Sequence, residues 1–518
     1  MTDPILTRRE LLKVSAAVGA AALAGHAGAQ VPAAGPAPSS PGGPGPAPDG
    51  RAAPTIGIAL GPEPLATGDL DKLFDDLRAR AGVNALFPFI YTYVASTAGM
   101  GTTVNGKPFR GGNFAMPHME YYKDVPLTFE EMRAPEFGTV DAFARAIPIA
   151  KKHGMKMFAW VLEDNRRAPF PKWEALYEMD FHGRRMVQHP GGPCYNHPTY
   201  QAFVLGLVED YVRSYDVAGV MWSSERQGGL WNALGAYHNG ARADPGQATC
   251  FCEFCTKRGK EQGIDVDRAK QGFAALESYV RAGRAKQRPR DGYFVSFFRL
   301  LLQYPELLAW ESLWMQSRWG LQRKIYGLVK SIKPELPVGW HLWHNISFSP
   351  FHRAEMDFGE MAAFSNFLKP VLYSNVAGER IRSFTDSACG NVFGDLPADE
   401  ALGMLYHVLD YKEAPFDRVR QTGLSADYVE RETRRTFDDA NALAAAGNGH
   451  KVDVWPGIDI DVPVGAGSSR CTPESVKAAV IGALRGGATG VILSRNYAEM
   501  KPENLAGAGA ALDELKLR

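Results

Sequence analysis

From Thr55 onward, short unbroken runs of β-branched and aromatic residues alternate with stretches in which apolar side chains recur every three or four positions. The first pattern suits strands buried on both faces, and the second paints one side of a helix. Eight runs of the first kind stand out: TIGIAL (55–60), NALFPFIY (84–91), KMFAWVL (156–162), VAGVMW (217–222), PVGWHLW (337–343), PVLYSN (370–375), VDVWPGIDI (452–460) and GVILSR (490–495). Between them lie amphipathic segments such as LDKLFDDLRARAG, DAFARAIPIAKKHG, YQAFVLGLVEDYVRSY and PESVKAAVIGALRGG. Three of these four close in glycine, as helix C-termini do.

Strands that alternate with helices predict repeated βα units and a parallel sheet. Eight of them, with no Gly-rich dinucleotide fingerprint at the early turns, predict an α/β fold of the (β/α)8 TIM-barrel type, spanning residues 55–518. The spacing is uneven: long insertions follow the second, third and fourth runs, the last separating Trp222 from Pro337. All fall after a strand, on the face where barrel enzymes build their sites. Residues 265–332 read as helical and could pack as an insertion.

The N-terminus is of another kind. Arg8-Arg9 precede an apolar, alanine-rich run from Val14 to Ala24 and the small residues Ala27-Gly28-Ala29. That order is a cleavable export signal over residues 1–29, and the arginine pair with Leu11, Leu12 and Lys13 behind it resembles the twin-arginine type. The apolar run is too short for a good spanning helix, so no membrane anchor is expected after cleavage. Residues 30–54, almost all Pro, Gly, Ala and Ser, predict a disordered tether. The expected destination is the periplasm or the medium.

Charge narrows the partners. Lysine plus arginine equals aspartate plus glutamate, 57 against 57, so no net field draws the chain to nucleic acid or an anionic membrane, and a neutral ligand is expected. Aromatic residues make up 11% of the chain, which suits either a large core or a site that stacks rings on the flat faces of sugars.

Six cysteines occur in 518 residues, three of them in CFCEFC: Cys250, Cys252 and Cys255. C-x-C-x-x-C lets thiolates converge on one ion, and a closed tetrahedral site needs a fourth ligand. Cys194 precedes the fourth run as these follow it, on neighbouring loops, and is the expected fourth. The alternative is disulfide pairing, which export permits but which the tight spacing of the three disfavours. The arrangement resembles the zinc cluster of glycoside hydrolase family 42 β-galactosidases. The frame CYNHPTYQAFVLGLVEDYVRSYDVAGVMW leading into CFCEFCTKRGKEQGID is similar to that of bacterial hypothetical glycosyl hydrolases, also barrels. The resemblance covers residues 190–265 by motif. It implies a structural zinc on Cys194, Cys250, Cys252 and Cys255, and a hydrolase acting on a neutral saccharide or glycoside.

Glycosidases of that clan place an acid/base carboxyl after the fourth strand and a nucleophile after the seventh. By this resemblance Glu225, in MWSSER, takes the first role, although Ser224 stands where the family has Asn. Asp459 or Asp461, in WPGIDIDVP, takes the second, an aspartate where the family has glutamate. Polar and aromatic residues near other strand ends are candidates to bind the ligand: Glu163, Trp222, His341, His344, Asn345, Tyr373, Trp455, Arg495 and Tyr497. The competing reading is an exported barrel that binds saccharide without cleaving it. A metal-dependent amidohydrolase is disfavoured by the lack of paired histidines in TIGIAL, and no H-E-x-x-H occurs.

Overall fold

The computed structural model describes residues 53–518 except 62, 93–102, 105–106, 109–111, 164–173, 187–190 and 238–242. The export signal expected over 1–29 and nearly all of the tether expected over 30–54 lie outside the described residues. Among those described, no helix is long and apolar enough to cross a membrane.

The parallel ladder begins with β1 (Thr55–Leu60), which pairs with β2 (Ala85–Thr92), and continues through β3 (Lys156–Glu163), β4 (Gly219–Ser224), β5 (Val338–Leu342) and β6 (Phe367–Pro370). The seventh run enters as two short strands. β7 (Asp453–Val454) pairs with β6, whereas β8 (Gly457–Asp459) pairs with β9 (Gly490–Ser494), which pairs with β1. Pro456 sits at the break, where it has no N–H to offer either neighbour, and its carbonyl accepts from Ile492. Val371 bridges to Gly457 in parallel fashion. The result is an α/β fold built on a curled parallel sheet.

Two strands differ from expectation in register. The fourth is Gly219–Ser224, two residues later than expected, which leaves Glu225 as the first residue beyond it. The sixth is Phe367–Pro370, not 370–375: after Pro370 the chain turns, and Ser374–Phe384 is helical. Two backbone N–H groups at the start of that helix are satisfied by a side chain from β8, so the PVLYSN run is partly a helix start and not a strand. The stretch expected to be helical over 265–332 contains helices Val266–Arg284, Tyr293–Gln303 and Glu306–Ile332.

Inside the curl, Phe87, Phe158, Phe367 and Trp455 meet ring to ring, with centroids 4.5 Å apart for Phe87–Phe158 and 4.3 Å for Phe367–Trp455. Glycines on other strands make the room: a Cβ on Gly339 would lie 2.3 Å from the Phe367 ring, and one on Gly219 2.4 Å from Phe158. Large rings on some strands thus interdigitate with glycines on their neighbours, as close-packed interiors require.

Candidate functional site

The carboxyl ends of the parallel strands carry the titratable groups. His341 on β5 stands opposite Lys369 on β6 in the ladder register, so both side chains leave the sheet on the same side. The Lys369 amine lies 3.1 Å from His341 Nδ1, and His341 Nε2 lies 3.0 Å from Glu225 Oε1. Burial runs along the chain of three: Lys369 is fully buried, His341 nearly so, and the Glu225 side chain is 45% exposed. Burial and the neighbouring Lys369 push the His341 imidazole down to about 4, against the pull of Glu225. The ring is therefore neutral, and the donor at Nδ1 fixes its tautomer: Nε2 carries the hydrogen and donates to Glu225, which accepts as a carboxylate. Burial lowers Lys369 to about 7. Its amine lies 5.5 Å from the Trp160 ring and 5.7 Å from the Tyr373 ring, and Gly457 supplies no Cβ where one would come within 2.7 Å of it.

Asp459, the last residue of β8, is 1% exposed. Its Oδ2 accepts the backbone N–H groups of Asn375 (3.1 Å) and Val376 (3.3 Å) at the start of helix Ser374–Phe384. Its buried Oδ1 takes no hydrogen bond from the described residues. Burial raises the carboxyl to about 6, although the two N–H groups and the Asn375 side chain oppose the shift. Glu225 and Asp459 thus lie in unlike surroundings, one wet and bonded to a neutral imidazole, the other dry with a free oxygen. The Arg380 guanidinium feels both carboxyls and the charge of Arg495. It donates to His344 Nδ1 at 2.8 Å and lies 5.9 Å from the Tyr373 ring. His344 Nε2 in turn meets the Tyr428 hydroxyl at 3.1 Å.

The other expected site residues are placed unevenly. Tyr373 sits between Lys369 and Arg380, past β6 and not at its end. Arg495 follows β9 and forms a two-point pair with Glu499. Glu163 is buried with its oxygens engaged by Arg226, Tyr195 and Tyr200. Trp222 is fully buried, and Trp455, at 6% exposure, belongs to the interior aromatic layer, so neither presents a face to stack on a sugar. Asn345 is buried and donates to the Ala236 carbonyl. Asp461 accepts from the Lys501 N–H and the Asn504 amide, which ties it to the start of helix Pro502–Glu514. Tyr497 lies within electrostatic reach of Asp76 and Arg80 on helix Leu70–Ala81. Lys369 and Arg380 were not among the expected residues. A lysine inside the apolar run FLKPVL is a signal for the first, since buried lysines are rare without a task; nothing in the helix around Arg380 singles it out.

A second constellation is separate from this one. The segments after β3 and β4 pair with each other, Asp180 bridging to Thr249 and the Phe251 N–H donating to Met179. This brings Cys194, Cys250, Cys252 and Cys255 together, all buried, with their sulfurs within 4.8 Å of one another. All six cysteines are free thiols. Four thiolates at about 2.3 Å from one ion place their sulfurs about 3.8 Å apart; here Cys194 lies 3.4 Å from Cys255 and 3.5 Å from Cys252. Asn196 donates to the sulfurs of Cys194 and Cys255, the kind of outer bond that orients metal thiolates. The four residues could hold a metal ion, with no ligand position left over for water.

No protein-family model matches the chain, and no curated protein matches it. Among solved structures, similar chain paths occur in α-L-fucosidase isoenzyme 2 from Paenibacillus thiaminolyticus (13% identity, TM-score 0.46, 89% of this chain and 49% of that one). They occur also in a β-galactosidase from Halorubrum lacusprofundi (13%, 0.47, 89% and 58%) and in the PgaB (BpsB) glycoside hydrolase domain from Bordetella bronchiseptica (12%, 0.45, 89% and 98%). The chain thus spans about half the length of the first two. Likeness at this level says nothing about chemistry, and the roles below rest on the side chains.

Proposed function

We propose that this chain is a (β/α)8-barrel glycoside hydrolase whose carboxyl pair is Glu225 and Asp459. The observation that carries the reading is the unlike surroundings of the two groups at the same end of the sheet. Glycosidic bond cleavage needs one carboxyl that keeps its proton and one that has lost it. Dry Asp459 is the acid, and Oδ1, the oxygen that takes no hydrogen bond from the described residues, carries its proton. Glu225, held ionised by the Nε2–H of His341, faces the positive charge that develops on the sugar ring. This exchanges the roles that the family resemblance implies for the two positions. Asp461 stays structural, because both its oxygens serve the helix that follows β9.

Residues 1–29 direct export by the twin-arginine route and 30–54 form a tether, which places the enzyme in the periplasm or outside the cell. Zinc on the four cysteines is structural, clamping the loops that follow β3 and β4.

The test compares leaving groups. Against a panel of glycosides, Glu225→Gln should lower kcat by about 100- to 10,000-fold on every substrate. Asp459→Asn should do so on alkyl glycosides yet spare dinitrophenyl glycosides, whose leaving groups depart without a proton. The reverse pattern returns the acid role to Glu225. If the intact protein cleaves nothing in a broad panel, the hydrolase reading fails and the saccharide-binding one takes its place.

A further inference from the structure

One cation at this site, Arg380, has no ion-pair partner among the described residues. Folded proteins pair their buried charges, because an uncompensated one is strongly destabilising. Arg495 follows that rule through Glu499. Arg380 does not: it is half-buried, one of its Nη atoms donates to His344, and among the described residues no carboxylate lies within ion-pairing distance of it. Lys369, fully buried, meets the His341 ring and two aromatic faces, and burial lowers it to about 7 against the pull of Glu225. Arg318, 3% exposed, acts on His341 as well, but it stands in the field of Glu163 and Glu355. The carboxylates whose charge reaches Arg380 are Glu225, already bonded to His341, and Asp459, buried and bonded to the start of a helix. The balance of 57 basic against 57 acidic residues over the chain does not give Arg380 an ion pair among the described residues.

We infer that the saccharide bound here is acidic, and that Arg380 receives its anionic group. The inference rests on the reading of this end of the sheet as a saccharide site, and it replaces the neutral ligand that the overall charge suggests. A guanidinium with free N–H groups in a partly dry setting is matched to a carboxylate, sulfate or phosphate oxygen pair. The Tyr373 ring, 4% exposed, packs against the guanidinium and helps to hold it in place.

Calorimetric titration of the whole protein with matched oligosaccharides tests this without needing turnover. The pairs are glucuronate against glucose and galacturonate against galactose, with sulfated and phosphorylated forms as further arms that identify the anion. At least one acidic member should bind about tenfold or more tighter than its neutral partner, and the preference should shrink as salt screens it. Arg380→Met should abolish the preference and Arg380→Lys restore part of it; Arg380→Gln serves if the methionine variant does not fold. Equal binding of acidic and neutral partners, binding of none, or a preference that survives in folded Arg380→Met or Arg380→Gln overturns the inference. Acidic sugars that bind through Arg380 but are never cleaved would sink the hydrolase reading and leave this one standing. Cleavage of neutral glycosides with no acidic preference would do the opposite.

Discussion

A carboxyl that is 1% exposed yet takes two backbone N–H groups on one oxygen is pulled both ways, and in Asp459 burial wins, raising the group from 3.8 to about 6. The folded chain therefore holds this proton more tightly than the unfolded one. Between about pH 4 and 6 the native state binds more protons, so stability falls as pH rises through that window, by up to about 3 kcal/mol. Asp459→Asn removes the slope while its amide oxygen can still accept the two N–H groups. Urea unfolding should show the variant more stable than the parent at pH 8 and no more stable at pH 4. His341 contributes the opposite slope, since its depressed value means stability is lost as pH falls from about 6.5 to 4, but it cancels in the comparison at each pH. An equal gain at both pH values would mean that Asp459 is not the linked group. The same proton sets the alkaline limb of activity, which should decline as pH rises through about 6. At this scale the sequence was half readable. Glu225, His341 and Asp459 announce themselves as polar residues at the ends of apolar runs. Trp222 and Trp455 did not reveal that their rings face the packed interior, because a run buried on both sides carries no alternation to tell one face from the other.

Elements were more legible where hydrophobic period decides and less so where a single contact does. Seven of the eight runs became strand; the sixth did not, its strand lying earlier at Phe367–Pro370 because Asp459 caps the following helix, a contact between segments 84 residues apart. The seventh split at Pro456. The thiol cluster was readable because C-x-C-x-x-C is local; what could not be read was that the loops after β3 and β4 pair as short bridges beneath it. Helix Glu253–Glu261 starts at Cys252 with no side-chain cap bond, so two of the four sulfurs sit at its start and within its first turn. If zinc holds them, Asn196→Ala, which removes the amide bond to Cys255, should weaken metal affinity about 10- to 100-fold. Cys194→Ser should weaken it further and lower the melting temperature. Metal analysis of the purified protein should find one zinc per chain, and chelation should bring the parent's melting temperature down toward that of Cys194→Ser. A parent without metal, equally stable with and without chelator, would assign the four thiols to the core.

At the scale of the molecule, the site depends on the sheet keeping its curl, because Glu225, His341, Lys369 and Asp459 belong to β4, β5, β6 and β8 or their ends and meet only if those strands hold their register. The interior layer of Phe87, Phe158, Phe367 and Trp455 sets that register through the glycines opposite. Gly339 is the tightest of these: its Cα has two ring atoms of Phe367 where a methyl would go, both 2.3 Å from the Cβ position. Gly339→Ala adds one carbon and no polarity, so any effect comes from overpacking, typically about 1–3 kcal/mol in a dense core. The strain has a direction. Phe367 starts the strand that carries Lys369, and Gly339 lies two residues before His341, so relief by sliding β6 against β5 would separate the amine from Nδ1. The variant should therefore lose stability by about 1–3 kcal/mol and also raise the His341 titration above about 4, since the Lys369 charge helps to hold it down. Unfolding curves and nitrogen NMR of the labelled histidine ring read the two effects separately. A destabilised variant with His341 unmoved would show that the aromatic layer supports the fold without governing the geometry of the site.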